Sequence, residues 1–478
     1  MNGRRPLRVL LVSLPFHYFP FGSRRANYVR PPLGIIQLAA YLRDRAQDPV
    51  EARCLDLLTE PGRSPEEVLG RILGEQADVV GFSVLTATQP IAEWLCSQIR
   101  QLRPETKLVV GGPHVTVLPD EPRPWVDAAI LGEGEATLLA YIEEGVLGGS
   151  REPIAGAIRY LPDGEPLVGP VRPPLPDLDS LPFAARDLLP ADAYYHLLPY
   201  RGVTRFTTHM TGRGCPYDCN FCGNDAIWGR RVRMQSVARV LAEVDHIVRH
   251  HGANLIFFED DTFSARRERV LELCEGLARA HPGLRWICHT RVDCVDDELV
   301  RTMRRAGCVE AQIGAESGDP DVLRSTGKGV VLEQVRSAMA LFRKHRINTW
   351  ATFVLGHEQE TRATLERTLQ YAVELNPTYA SFIVLLPFPG TAVYERFREL
   401  GYLDTDRWED FTWYGRPVFH TAHLTPEDLM SARSRANLRF YLRPSKLAEL
   451  AWMTLRGGSV REMLRNVAAW RSVVTPRR

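Results

Sequence analysis

The chain has 478 residues, 45% of them hydrophobic and 24% charged, with 59 Lys and Arg against 58 Asp and Glu. That length exceeds one ordinary core and implies two or three domains, while the near-zero net charge gives no ground for a nucleic acid or an anionic membrane and favours a small-molecule partner. Nine cysteines, an odd number, lie mostly scattered through strand-like and helix-like patterns, which argues for reduced thiols in the cytoplasm and against a disulfide framework.

The first basic residues precede an apolar run from Val9 that is too short for a secretory leader and reads as a first strand. No apolar run approaches the roughly 18 residues of a membrane span, so no transmembrane segment is expected. Strands are expected at 7–14, 50–57, 78–84, 107–111 and 128–131, with helices at 34–45, 65–76, 90–102 and 136–146. Apolar strands such as the one holding Val109 and Val110 suit a sheet covered on both faces, so the expected product is a five-stranded parallel, doubly wound sheet. Ligands of such sheets sit beyond the carboxyl ends of the strands. Those ends carry Gly81-Phe-Ser83-Val-Leu-Thr86, Gly111-Gly112-Pro113-His114 and Gly132-Glu133-Gly134-Glu135. Glycine there admits a ligand close to the backbone, and turn N–H groups receive an acidic group, although glycine after a parallel strand is also ordinary turn chemistry. Between 153 and 199 the chain holds ten prolines. This reads as an extended strap that cannot donate regularly to a ladder, lying on a surface through Leu175, Leu178, Leu181 and Phe183.

Alternation then resumes, with strands expected at 207–211, 254–258, 285–288, 310–314, 349–355 and 380–386 and helices in each gap, for example 237–250 and 266–280. Six such units make a partial (β/α)6 barrel, shorter than a closed TIM barrel, with reacting groups at the carboxyl ends of its strands. The first of these strands runs into Thr211-Gly-Arg-Gly-Cys-Pro-Tyr-Asp-Cys-Asn-Phe-Cys-Gly223, which places Cys215, Cys219 and Cys222 on one short loop in a C-x3-C-x2-C spacing. The next cysteine along the chain, Cys274, lies in a helical pattern. A structural zinc would be one ligand short, whereas a [4Fe-4S] cluster is held by three of its irons and leaves the fourth to a substrate.

This spacing, with Phe221 before the third cysteine, resembles the signature of the radical S-adenosylmethionine (SAM) superfamily. The resemblance implies that SAM chelates the open iron and that one electron, delivered by an external reductant of flavodoxin or ferredoxin type, cleaves it to a 5'-deoxyadenosyl radical. It also implies SAM contacts at successive strand ends. Glu259 or Asp260 would receive the ammonium, the alternative being a helix cap. Arg291 would receive the carboxylate, or else pair with Asp293 or Glu316 as scaffolding. Glu316 and Ser317 fall at the ribose position, the turn Val354-Leu-Gly356-His357 at the adenine side, and Leu385-Leu-Pro-Phe-Pro-Gly-Thr391 at the closing turn.

Placed ahead of that loop, the N-terminal module with its Gly-Gly-Pro-His and Gly-Glu-Gly-Glu turns resembles the cobalamin (B12)-binding domain of the B12-dependent radical SAM enzymes, and Arg30-Pro-Pro-Leu-Gly-Ile-Ile-Gln-Leu-Ala-Ala-Tyr-Leu42 resembles their first crossover helix. The resemblance implies cobalamin contacts from Ser83, Thr86, Gly111, Gly112, His114, Gly132, Glu133 and Gly134. The Asp-x-His-x-x-Gly motif that ligates cobalt from below in other B12 domains is missing, since His17 has neither the Asp nor the Gly spacing. This implies cobalamin without a protein His beneath cobalt, or a domain that has kept its fold and lost the cofactor.

The expected architecture is therefore α/β: a Rossmann-like, flavodoxin-type cobalamin-binding domain at 7–147, a Pro-rich linker at 148–200, a partial TIM-barrel radical SAM core at 201–403, and an aromatic, helical region at 404–478. The last region, with Trp408, Phe411, Trp413, Tyr414 and Phe419 and then basic helical patterns through Arg443 and Lys446, reads as a cap on the substrate cavity or as packing, with a peripheral membrane contact through 447–455 and 461–474 as a third option. The function implied is methylation of an unactivated carbon of a small molecule, using SAM, the cluster and methylcobalamin. The alternatives are oxidative cyclisation or rearrangement with the same cofactors and, from another class, a cluster protein of electron transfer or redox sensing.

Overall fold

The computed structural model describes residues 5–14, 30–60, 62–161, 165–196, 200, 202–413 and 415–457. His17, Tyr414 and the stretch 461–474 lie outside them. Two compact units result, residues 1–193 with 226–229, and residues 194–225 with 230–478.

The first unit alternates β1 Leu7–Ser13, α1 Leu33–Arg45, β2 Val50–Asp56, α2 Pro65–Gly74, β3 Val79–Ser83, α3 Gln89–Leu102, β4 Lys107–Gly111, α4 Pro113–Val117, β5 Ala128–Ile130 and α5 Gly134–Ala140, which continues as a wider-wound turn through Leu147. The starts are written locally. At α2, Ser64 and Glu67 form a reciprocal capping box and Pro65 sits in the first turn, satisfying N–H groups that the helix leaves open. The strands lie in the order β2-β1-β3-β4-β5, all parallel, with the switch in order between β1 and β3. Val9, Leu10, Leu11 and Val12 are all buried, as a sheet covered on both faces demands.

Here one expectation is corrected. The Pro-rich stretch does enter the ladder: β6 Ala157–Arg159 and β7 Leu167–Val168 add two antiparallel strands beyond β5. The prolines at 153, 162, 166 and 170 bracket these strands and leave the strands themselves free of proline, and an edge is where a sheet tolerates such neighbours. The remainder behaves as the expected strap. Leu178 and Leu181 are buried, the Ala185 N–H donates to the Ile36 carbonyl at 3.1 Å, and the Gln37 amide donates to the Pro182 carbonyl at 3.0 Å.

The second unit contains β8 Phe206–His209, β9 Gly212–Arg213, the start of α6 Asn224–Trp228 (its last three residues count with the first unit), β10 Arg233–Met234, α7 Val237–His251, β11 Leu255–Phe258, α8 Arg267–Ala280, β12 Arg285–His289, α9 Asp297–Arg305, β13 Cys308–Glu316, α10 Pro320–Ser325, α11 Leu332–Lys344, β14 Asn348–Leu355, α12 Arg362–Leu375, β15 Tyr379–Val384, α13 Ala392–Glu399, α14 Pro426–Tyr441 and α15 Pro444–Gly457. β8, β11, β12, β13, β14 and β15 form a six-stranded parallel sheet in that order, the partial barrel expected. Alternate residues on it (Cys288, Ala311, Ile313, Ala351, Phe353, Ala380, Phe382) belong to one apolar core, while Gln312, Gly314, Trp350, Thr352, Ser381 and Ile383 on the other face stay half-buried. The aromatic C-terminal region is largely packing. Phe411, Phe419 and Phe440 are buried in that same core, and the Tyr441 hydroxyl donates to the Ala380 carbonyl at 2.7 Å and accepts its N–H at 3.1 Å, shielding the outer edge of β15.

Candidate active site

The cysteine loop grows from a closed root. β9 and β10 pair antiparallel, Gly212 opposite Met234 and Arg213 opposite Arg233, so the chain between them leaves and returns at one point beyond β8. Asp260, at the end of β11, accepts from the Thr211 hydroxyl at 3.0 and 3.1 Å and from the Gly212 N–H. Burial pushes its carboxyl up to about 7, because desolvation penalises the charged form and outweighs these bonds and the charge of Arg269.

Further along, the Arg291 guanidinium lies 3.4 Å over the Tyr217 ring, and the Tyr217 hydroxyl meets the Cys294 sulfur at 3.1 Å. The Asn220 N–H donates to the Thr326 carbonyl at 3.0 Å, its amide donates to the Ser325 carbonyl at 2.8 Å, and its carbonyl accepts from the Val393 N–H at 3.0 Å. Cys215 Sγ stands 3.5 Å from Thr262 Oγ1. The loop is thus held by segments following four of the six strands, which presents it at their carboxyl ends. None of its cysteines is in a disulfide. Burial raises the Cys219 thiol, against the charges of Lys328 and Arg291. Cys222, exposed by surface area, is still crowded enough that desolvation pushes its thiol up to about 11, with Cys219 and Cys215 adding to the shift. Among the described residues no three His, Cys, Asp or Glu side chains converge as ligands of a single ion. A cube takes each thiolate on a different iron, a wider arrangement than the ~4 Å between neighbouring ligands of one zinc. Three thiols on one anchored loop suit that donor set.

The strand ends around the loop differ in burial and in partners. Glu259 is half-buried at the end of β11, and Asp260 beside it is buried in the loop root. Arg291 is spent on scaffolding: it forks onto Asp293 at 2.9 and 2.8 Å and donates to the Lys328 carbonyl at 2.7 Å. Glu316 adopts a left-handed backbone, φ +57°, and accepts from Lys328 Nζ at 2.5 Å, with the same ammonium 2.8 Å from the Gly314 carbonyl. A Cβ on Gly314 would lie 2.0 Å from Glu316 Oε1 and 2.3 Å from Lys328 Nζ, so this cradle admits no side chain there. Ser317 turns away from the opening. It is fully buried, its hydroxyl 3.1 Å from that of Thr368 while accepting the Asp319 N–H at 3.1 Å.

At the end of β14, Gly356 has φ +102° and donates to Glu360 at 2.5 Å. Glu360 is fully buried, and desolvation pushes its carboxyl up to about 7. The neighbouring His357 is buried, its pKa pulled down to about 4 by desolvation, and its ring meets the Phe221 ring edge-on with 5.7 Å between centroids. Its Nε2 has no hydrogen-bond partner among the described residues, and such an orphaned polar atom fits a position completed by a ligand.

Sequence reasoning placed His357 in the adenine-side turn and missed Tyr217, Cys294 and Lys328. Lys328 carried a faint signal in Gly327-Lys328-Gly329, a cation flanked by glycines just after α10. Cys294 is the further cysteine hydrogen-bonded to the loop, while Cys274 is buried on α8 in the apolar core, as its helical pattern suggested.

In the first unit Ser83 and Gly111 end β3 and β4 in register. Gly112 has φ +103°, and a Cβ on it would lie 2.9 Å from the Val84 carbonyl. His114 is fully buried, with Nδ1 3.3 Å from the Thr86 hydroxyl and Nε2 3.1 Å from Glu121. Both ring nitrogens are occupied, so it ties turns together and does not offer a metal ligand. The Gly132 N–H donates to the Thr116 hydroxyl at 3.0 Å, and a Cβ on Gly132 would meet nothing within 4 Å. Glu133 accepts the Leu175 N–H at 3.0 Å, and Gly134 opens α5 with a Cβ position 3.1 Å from Leu38. The open position at Gly132, beyond the parallel strands, fits a bulky ligand laid over the sheet.

Comparison with known proteins agrees with both units. Residues 210–372 match the family model of the radical SAM superfamily, and residues 23–142 match that of the B12 binding domain. The chain is 30% identical over 420 residues, 87% of its length and 89% of the other, to an uncharacterised methyltransferase of Pyrococcus horikoshii. It is 28% identical over 403 residues, covering 83% of this chain and 70% of the other, to the anaerobic magnesium-protoporphyrin IX monomethyl ester cyclase of Rubrivivax gelatinosus. It belongs to the radical SAM enzymes that carry a B12-binding domain ahead of the barrel. In fold it is similar to the radical SAM methyltransferase TsrM from Kitasatospora setae, solved with cobalamin and a [4Fe-4S] cluster bound, with TM-score 0.70 and 17% identity over 98% of this chain and 99% of that one. The cobalamin-dependent radical SAM enzyme OxsB, solved with aqua-cobalamin and SAM bound, gives TM-score 0.73 and 18% identity over 97% of this chain and 72% of that one. Among the described residues no helix is long and apolar enough to cross a membrane.

Proposed function

We propose that the protein is a cobalamin-dependent radical SAM methyltransferase acting on an unactivated carbon of a small molecule. The observation that carries this reading is the three-cysteine loop anchored at the carboxyl ends of a partial barrel that follows a B12-binding unit along the chain. When bound, the cluster, SAM and cobalamin supply reductive cleavage of a sulfonium and delivery of a methyl group. The chain's own part is to hold and orient. Cys215, Cys219 and Cys222 are the cluster ligands, and Asp260 and Arg291 keep their loop in place by gripping Thr211, Gly212 and Tyr217. Glu259 receives the SAM ammonium, Glu316 with Lys328 faces the ribose and carboxylate side, and Gly356, Phe221 and His357 form the adenine side. Ser317 supports this wall from behind through Thr368.

In the first unit the turns holding Ser83, Thr86, Gly111, Gly112, Gly132, Glu133 and Gly134 receive the cobalamin, with His114 as their internal tie. The division of labour places cobalamin binding within 7–147 and the radical chemistry within 201–403, joined by 148–200 and followed by 404–478. A flavodoxin- or ferredoxin-type reductant in the cytoplasm supplies the electron. Reduced, cluster-reconstituted protein given SAM is expected to release 5'-deoxyadenosine and to pass an isotope-labelled SAM methyl to the product; absence of 5'-deoxyadenosine refutes the enzyme reading and favours a redox protein. The similarity to the cyclase supports the second reading, oxidative cyclisation, which the same assay separates by an oxidised product that carries no labelled methyl.

A further inference from the structure

A cleft of about 250 Å³ opens at the amino-terminal ends of the barrel strands, opposite the end that bears the cysteine loop, and is lined by Tyr200, Arg285, Arg304, Val309, Arg346 and Asn348. The parallel register brings these residues together. Trp286 lies opposite Cys308 and Glu310 opposite Asn348, so the starts of β12, β13 and β14 stand side by side, with Arg304 on α9 and Arg346 just after α11. Three guanidinium groups face this volume, and no carboxylate lines it among the described residues. The fully buried Glu310 accepts from the Tyr200 hydroxyl at 2.7 Å and from the Gln312 amide at 2.8 Å, so its charge is engaged beneath the floor. Arg304 spends one N–H on the Cys308 carbonyl at 3.3 Å.

A second observation comes from the backbone. α11 ends with the Arg346 N–H on the Arg343 carbonyl at 3.1 Å and the Ile347 N–H on the Phe342 carbonyl at 2.9 Å, the pair of bonds whose left-handed residue is usually glycine. Here that residue is Arg346, with φ +56°. Glycine would relieve this conformation, and a guanidinium is kept there at the mouth of a cationic cleft instead.

We propose that this cleft binds an oxyanion of the diphosphate class, gripped by Arg304 and Arg346, with Arg285 adding its charge to the wall and the Asn348 amide, which also donates to the Tyr200 hydroxyl at 3.4 Å, as a neutral donor. Guanidinium forks match phosphate oxygens bidentately, and the volume has room for more than one phosphoryl group. The site is separate from the cluster loop, so it stands or falls independently of the proposed chemistry.

The test is thermal unfolding of the full chain in pyrophosphate, in ADP, and in sodium chloride at matched ionic strength. Pyrophosphate is expected to raise the midpoint by about 1–3 °C at tenfold excess over its dissociation constant, and the gain is expected to vanish in Arg304→Gln. Arg346→Gly separates binding from fold: its ligand-free midpoint should rise as the strain is relieved, while the pyrophosphate response disappears. Arg305→Gln, one residue beyond Arg304 and outside the lining, should respond like the unmodified chain. An equal response to ADP assigns the site to diphosphate esters, and none assigns it to the free anion. The proposal is overturned if chloride matches pyrophosphate, if Arg346→Gly and Arg304→Gln keep the response, or if Arg305→Gln loses it to the same degree.

Discussion

Arg291 invites a decisive substitution, because a guanidinium at that strand end is suited both to a SAM carboxylate and to scaffolding, and the structure assigns its contacts to the second role. Its fork onto Asp293, its bond to the Lys328 carbonyl and its stacking 3.4 Å over Tyr217 are made by a residue that is 6% exposed. Burial would lower its pKa, but the Asp293 hydrogen bonds and charge outweigh that and raise it, so the group stays charged. A charge-assisted hydrogen bond contributes roughly 1.5–3 kcal/mol and a stacked cation about 1 kcal/mol. Because Asp293 keeps 19% exposure and recovers some hydration, Arg291→Met should cost about 3 kcal/mol in total. That corresponds to roughly 4–6 °C in the unfolding midpoint of a unit this size, measurable by calorimetry on the cluster-free chain. Arg291→Lys keeps the charge and loses the fork. Loaded with its cluster and titrated with SAM, it should bind within about threefold of the unmodified chain. The reasoning is refuted if the midpoint of Arg291→Met does not move while SAM affinity falls tenfold or more in either variant.

Asp260 and Glu360 are each pushed up to about 7 by burial. Folded chains therefore hold protons that unfolded chains release near pH 4, and the stability these groups contribute is present below about pH 4 and lost as pH rises through 7. Asp260→Asn and Glu360→Gln should each flatten the fall in melting midpoint between pH 5 and 7.5, and an unchanged slope in both would disprove the assignment. His357 works in the other direction: burial pulls it to about 4 from 6.5, so its contribution is present above 6.5 and lost as pH falls through 4. Gly356→Ala combines a φ of +102° with a Cβ 2.7 Å from Phe419 and 3.2 Å from Leu429, and should destabilise the second unit by about 2–4 kcal/mol, read as a lower denaturation midpoint. Cys219→Ala should abolish the visible absorbance of a reconstituted cluster; absorbance that persists would show that Cys219 is not a ligand.

What could be read from the chain was whatever its own short range encodes. The cysteine spacing, the strand-helix alternation of both units and the glycines after the strands are local, and the structure places them as the pattern suggested. What could not be read depended on residues far apart in sequence. Ser317 has the hydroxyl expected of a ribose contact, but a helix 51 residues later supplies Thr368 as its partner. Asp260 and Glu259 are neighbours with the same chemistry, and only the return of the chain through β9 and β10 decides that Asp260 holds the loop root. The proline count of the strap concealed β6 and β7, because a tally over a long stretch says nothing of the gaps between prolines.

Those two small strands bear on how this protein can be taken apart. β5 offers a bare row of backbone donors and acceptors on its far side until β6 lies along it, and an uncovered row of that kind recruits any extended segment within reach. A piece ending at residue 147, where the parallel strands and their helices are complete, would be made with that flank unzipped and should self-associate. One carried on to 193, bringing both strands and the strap on α1, keeps the flank closed and is the better fragment to isolate.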